Sequence, residues 1–140
     1  MRTVIAALSM VSVILGPAAS AQADSKHPID VQLVLCLQDS LSTAGMRECC
    51  YTALDAWDAE MNKTYAALLE VLSPEGQSAL REAQRAWLAF RDKQFKLNYQ
   101  FYLEEMQGTM YHVMASHANM DVVKQRALGL KAMLNMVSEQ

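Results

Sequence analysis

Helix breakers are scarce in this chain, with three prolines and five glycines in 140 residues. β-Branched runs are also few. Both shortages argue against an all-β fold, which needs many Gly- and Pro-rich turns. Histidine occurs only as His27, His112 and His117. The last two are five positions apart, a poor spacing for one helix face. No serine or cysteine stands beside a histidine in a nucleophile setting. The chain therefore shows no catalytic machinery and implies no cofactor. An excess of positive charge is missing too. The net charge is −3, which argues against nucleic acid as a partner and is compatible with a basic protein partner. The longest apolar run, Val4 to Leu15, is too short to span a bilayer as a mature helix.

That run reads as part of a secretory leader. Arg2 supplies the positive start, and Ala19-Ser20-Ala21 and Ala21-Gln22-Ala23 are small-x-small cleavage sites. Cleavage after Ala23 is expected, giving a leader over residues 1–23 and a single domain over 24–140. Without Arg2 the exported chain has 11 basic residues against 15 acidic ones, net −4. No second long apolar run follows, so a periplasmic or secreted protein with no membrane span in its mature form is expected. Three cysteines remain, Cys36, Cys49 and Cys50. Export places them in an oxidising compartment, where one disulfide and one leftover thiol are the default. Three pairings are open.

What is present in abundance is helical periodicity. Ile29 to Leu41 reads as a first helix, opened by Pro28. A second runs from Thr43 to Leu72, with a stripe of Met46, Cys50, Ala53, Leu54, Trp57, Met61, Tyr65, Leu68, Leu69 and Leu72. Ser73 is an N-cap residue with Pro74 at the first helical position and Glu75 behind it. A third helix is expected from Pro74 to about Met106, with Leu80, Ala83, Trp87, Phe90 and Leu97 on one face. Gln107-Gly108-Thr109 interrupts it. Met110 onward is helical again, with a break expected near His117-Ala118-Asn119 and a stripe of Met120, Val123, Ala127, Leu130, Leu134 and Val137. Long helices joined by short turns pack as antiparallel neighbours. The expectation is an all-α antiparallel bundle of about four helices.

Two segments concentrate polar and aromatic residues. They are Trp57 to Tyr65 and Ala83 to Asp92, and they hold both tryptophans. If the second and third helices fold back about Ser73-Pro74, residues whose numbers share a sum lie at similar heights. Asp58 with Arg91, Asn62 with Trp87, and Tyr65 with Gln84 share the sum 149. Along each helix these positions step by i, i+4, i+7, which is one face. The strip reads as an internal clamp. Asp58 is expected to pair with Arg91, Tyr65 to bond Gln84, and Trp87 to fill the space beside Asn62. A polar binding site is the rival reading.

At these residues the chain resembles the LprI-like family of lysozyme inhibitors, small exported bacterial domains. The matching elements are Cys36, then Met46-Arg47-Glu48-Cys49, then Trp57-Asp58 with Met61-Asn62 and Tyr65. Leu80, Ala83-Gln84-Arg85-Ala86-Trp87-Leu88 and Phe90-Arg91-Asp92 follow, then Gly108-Thr109, then Arg126-Ala127 with Leu130. The resemblance covers nearly all of residues 24–140. It implies an exported helical domain, not an enzyme, that binds and inhibits lysozyme-type muramidases. It also implies a Cys36–Cys49 disulfide, with Cys50 as an extra, free thiol. Family members often carry a cysteine just after the Arg-Asp pair and another beyond the Gly-Thr turn. Here those places hold residues such as Phe95 and Ser116 or His117, so apolar packing must replace a second bridge.

Three features remain. Cys50 lies on the apolar stripe, which favours burial as a small hydrophobe. Met106, Met110 and Met114, with His117 beyond, offer soft ligands of the kind Cu(I) takes; the more ordinary reading is that these methionines fill core gaps. The turn Gln107-Gly108-Thr109-Met110 is the candidate partner-binding loop. Muramidases work with two carboxylates in a cleft. An inhibitor need only insert a turn that excludes substrate, and Thr109 offers a hydroxyl to a carboxylate. The plainer reading is that Gly108 and Thr109 end one helix and cap the next. The functional alternatives are a non-inhibitory structural or interaction protein of the envelope and, third, periplasmic soft-metal binding.

Overall fold

A computed structural model describes residues 26–139. The leader expected over residues 1–23 lies outside the described residues. Four long helices make the fold: α1 (Pro28–Asp39), α2 (Thr43–Val71), α3 (Pro74–Tyr99) and α4 (Met110–Ser138). Between α3 and α4 the coil widens into a π-helical segment, Gln100–Glu105. Local chemistry explains the boundaries. Ser42 Oγ accepts from the Gly45 N–H at 3.0 Å, and Ser73 Oγ accepts from the Gly76 N–H at 3.2 Å. Each side chain thereby satisfies one orphan donor of a helix start. His27 plays the same part for α1, its Nδ1 accepting from Ile29 N. α1 stops at Asp39, short of the expected Leu41, because Ser40 Oγ donates to the Cys36 carbonyl at 2.9 Å. Leu41 is left fully exposed. Gln77 Nε2 donates back across the α2–α3 turn to the Leu72 carbonyl at 3.0 Å.

Consecutive helices run antiparallel, yet the most intimate pair is α2 with α4. These two are parallel: Arg47 and Tyr51 share a small cavity with His112 and Ser116, while Leu68 and Leu72 share a groove with Leu130 and Val137. Small buried residues let the axes approach, namely Cys50 and Ala53 on α2 and Ala115, Ser116 and Ala127 on α4. Trp57, Met61, Leu68, Met120, Val123 and Leu130 fill the rest of the core, each at most 1% exposed. α1 lies antiparallel along α2. The Cys36–Cys49 disulfide ties one end, and His27 stacks on Trp57 at 4.3 Å at the other. Lys124 Nζ on α4 reaches Asp30 of α1 at 2.8 Å.

Three further expectations change. α4 is unbroken through His117-Ala118-Asn119; Ser116 donates its hydroxyl to the His112 carbonyl inside the helix, so its polarity needs no break. α3 ends at Tyr99 rather than Met106. Its buried row is also rotated. Leu80, Gln84 and Asn98 are buried with Trp87 and Phe95 beside them, whereas Phe90 and Leu97 are 53% and 58% exposed.

Candidate functional site

The expected clamp is assembled from the same residues with different partners. Asp58 does not meet Arg91. Its carboxylate accepts from Asn62 Nδ2, one turn along α2, at 2.9 Å. Arg91 instead grips its chain neighbour Asp92, with Nε and Nη2 at 3.0 and 2.8 Å from one oxygen. α2 packs far more closely on α4 than on α3, so the expected α2–α3 ladder is not continued to Asp58 and Arg91. Gln84 is buried but engages Met61 and Arg126, not Tyr65. Its Nε2 donates to Met61 Sδ at 3.7 Å, and its Oε1 accepts from Arg126 Nε at 3.0 Å. Two guanidinium groups lie near Trp87, Arg91 at 5.7 Å and Arg126 at 6.0 Å from the ring centroid. The structure does bring Asn62, Tyr65 and Gln84 to one groove of about 340 Å³, lined also by Arg81 and Arg85.

Arg126 is the central residue that the helix-pair reasoning passed over. It belongs to α4, and only the α3–α4 contact reveals it. Burial lowers its pKa below the usual arginine range. A second polar link joins the same helices: Asn98 Nδ2 donates to Asn119 Oδ1 at 2.8 Å, and Gln94 Nε2 donates to Asn98 Oδ1 at 3.0 Å. α3 is thus held to α4 by a polar seam. Sequence periodicity seeks apolar stripes and gives no signal for such a seam.

The disulfide ties α1 to α2, and the free thiol Cys50 is the next residue of α2. Cys36 and Cys49 are 5.7 Å apart at Cα. Cys50 is wholly buried, and burial pushes its thiol pKa up. Where a second bridge would stand, Phe95 packs against the core and Ser116 is buried.

The turn Gln107–Met110 sits at the end of the molecule opposite the α2–α3 turn. Gly108 has φ +121°, a region that residues with a Cβ rarely adopt. Thr109 occupies the N-cap position of α4, but its side chain makes no capping hydrogen bond. The first α4 donors are met by backbone instead, Tyr111 N to Gly108 O and His112 N to Thr109 O, both at 3.2 Å. The exposed Thr109 hydroxyl makes no hydrogen bond of its own among the described residues. Met110 is 52% exposed, and Gln107 and Thr109 are exposed as well. Exposed Tyr99, Phe101 and Met114 surround this end.

Met106 precedes the Gly108 turn with extended backbone, so it does not continue the α4 row of Met110 and Met114. Among the described residues no group of three or more His, Cys, Asp or Glu side chains is placed to hold a metal ion. Among them, too, no helix is long and apolar enough to cross a membrane.

Comparison with known proteins agrees with this architecture. No curated protein matches the sequence. A crystal structure of an uncharacterized protein from Burkholderia thailandensis superposes with a TM-score of 0.74 at 32% identity. The match covers 81% of this chain and 56% of that one, so this chain spans little more than half of its length. The profile of the family described as Lysozyme inhibitor LprI matches residues 36–130. That stretch begins at the bridging Cys36 and ends at the fully buried Leu130. From the α1–α2 staple to the last core layer of α4, this chain belongs to the LprI lysozyme-inhibitor family.

Proposed function

We propose that the protein is an exported binding module, not an enzyme, that inhibits a lysozyme-type muramidase through the turn Gln107–Met110. Family membership supports inhibition as the activity class. The observation that carries the choice of surface is Gly108 at φ +121°. It presents an exposed turn whose Thr109 hydroxyl has no capping role, at the end of a rigid helical body. A hydroxyl there can donate to a cleft carboxylate while Met110 and Phe101 cover apolar walls. The acidic balance of the chain favours encounter with a basic enzyme. Export to the periplasm or beyond belongs to the same proposal, since cell-wall hydrolases act there.

The test is a cell-wall lysis assay with several lysozyme types and the purified protein. Inhibition is expected, and Thr109→Val or Met110→Lys should weaken it at least tenfold with the helical circular dichroism unchanged. Gly108→Ala should weaken it as well, because the turn must rearrange to relieve a positive φ; its fold should lose about 1 kcal/mol. Inhibition untouched by all three variants rules out this turn. No inhibition at large molar excess rules out the activity.

One observation favours a second reading, a non-inhibitory interaction protein of the envelope. Phe90 and Leu97 lie seven residues apart on one face of α3 and stand more than half exposed, with Phe101 at 48% beyond them. Under that reading, Phe90→Ser and Leu97→Ser abolish partner capture while the turn variants do not.

A further inference from the structure

At the end where α2 stops and α3 starts, an open groove of about 420 Å³ runs between α3 and α4. Its walls are apolar. Ala79 and Ala83 on α3 keep it open, Leu72 and Leu130 form its depth, and Met133 and Met136 flank its mouth at 50% and 60% exposure. One ionisable residue lines it, Arg126. The Arg126 Nε is held by Gln84, but its Nη2 is buried and has no hydrogen-bond partner. No carboxylate answers its charge: the ion pairs among the described residues are Arg91–Asp92 and Lys124–Asp30. A desolvated guanidinium N–H without an acceptor is costly, and an incoming anion removes that cost.

The polar and apolar parts are separated along the groove. Arg126 and Ala83 lie toward the middle of the bundle, while Met136 and Gly76 lie at its end. Ten residues of α4 separate Arg126 from Met136, about 15 Å of helix. Flexible thioethers at the mouth accommodate a chain of variable shape. The single cation at depth and the apolar walls together describe an amphiphile, with its head innermost.

We propose that this groove binds a straight-chain fatty acid of roughly 12 carbons, because an extended chain advances ~1.25 Å per bond along a span of ~15 Å. The carboxylate pairs with the Arg126 guanidinium at the inner end of the groove, and the tail runs past Met133 and Met136 to solvent. The groove lies at the end of the bundle opposite the Gln107–Met110 turn, so the proposal stands apart from muramidase inhibition.

The test is titration of the purified full protein with dodecanoate below its micelle-forming concentration. It is read by calorimetry and by Trp87 fluorescence, since that ring lies 6.0 Å from the Arg126 guanidinium carbon. Saturable one-to-one binding is expected, with dodecyltrimethylammonium at least tenfold weaker, the loss of one charge-assisted hydrogen bond. Arg126→Gln should cut dodecanoate affinity about tenfold and leave dodecanol binding unchanged. Arg126 also supports Gln84, so Ala79→Trp is the second variant. It fills the groove, keeps the cation, and should abolish binding of both ligands while circular dichroism stays native. Equal affinity for the carboxylate and the trimethylammonium overturns the proposal. So does binding that survives Ala79→Trp. A concentration-dependent dimer in sedimentation that Ala79→Trp abolishes also overturns it, because the groove then serves a second copy.

Discussion

Gln84 is the residue on which three helices meet. Its amide joins Met61 of α2 to Arg126 of α4 from a buried position on α3. Gln84→Ala leaves the Arg126 Nε unbonded beside an Nη2 that already lacks a partner. It should lower stability by about 1–3 kcal/mol, read as the urea midpoint at constant slope. Asp58→Ala should do little by comparison, less than about 0.5 kcal/mol, because its partner is an exposed asparagine one turn away. The sequence marks both residues as polar members of one strip. It does not say which partner each takes, since that depends on where two helices part and on a third helix outside the pair. Cys50 makes a separate prediction. Burial raises its thiol pKa in the fold, so the folded state resists losing that proton. The stabilisation is complete below the ordinary thiol value of about 8.5. It is lost as pH rises from there through the raised folded value. Melting temperature should fall above pH 9 in the native protein and fall less in Cys50→Ala. The native thiol should also resist iodoacetamide until urea unfolds the chain.

At the scale of elements, the starts of α2 and α3 were legible because a cap is a local event. Ser42 and Ser73 act within three residues of themselves, and Pro74 fixes its own φ. α1 is the element most dependent on a crosslink. It has one buried apolar residue, Leu33, and is tied by the Cys36–Cys49 bridge, the His27–Trp57 stack and the Lys124–Asp30 pair. The bridge spans a sequence separation of 13. Reduction should cost about 2–3 kcal/mol on the loop-entropy account. Amide exchange should rise in α1 before it rises in α2 or α4. α3 is where periodicity misleads. Phe90 and Leu97 form a helical apolar row, yet they face solvent. The inward row mixes Leu80, Trp87 and Phe95 with Gln84 and Asn98, whose amides find partners on α4. An amphipathic count scores such residues as surface.

For the whole molecule, the deciding feature is the parallel α2–α4 pair. Close approach there requires small side chains along both helices, and Ala127 is 1% exposed within it. Ala127→Leu adds volume with no free space and should cost about 1–3 kcal/mol, measured by thermal melting with helical content retained. The sequence by itself determined four helices, the Ser73 cap, the turns between helices, the family and, through family resemblance, the Cys36–Cys49 bridge. These rest on signals that act over a few residues or on a motif carried along the chain. Only the tertiary structure decided that α2 packs on α4 rather than along α3, that α3 turns Gln84 and Asn98 inward toward α4, and that Arg126 stands without an ion-pair partner beside an apolar groove. Those outcomes depend on contacts summed over whole helices distant in sequence. A choice of neighbour made that way leaves no mark within any one segment.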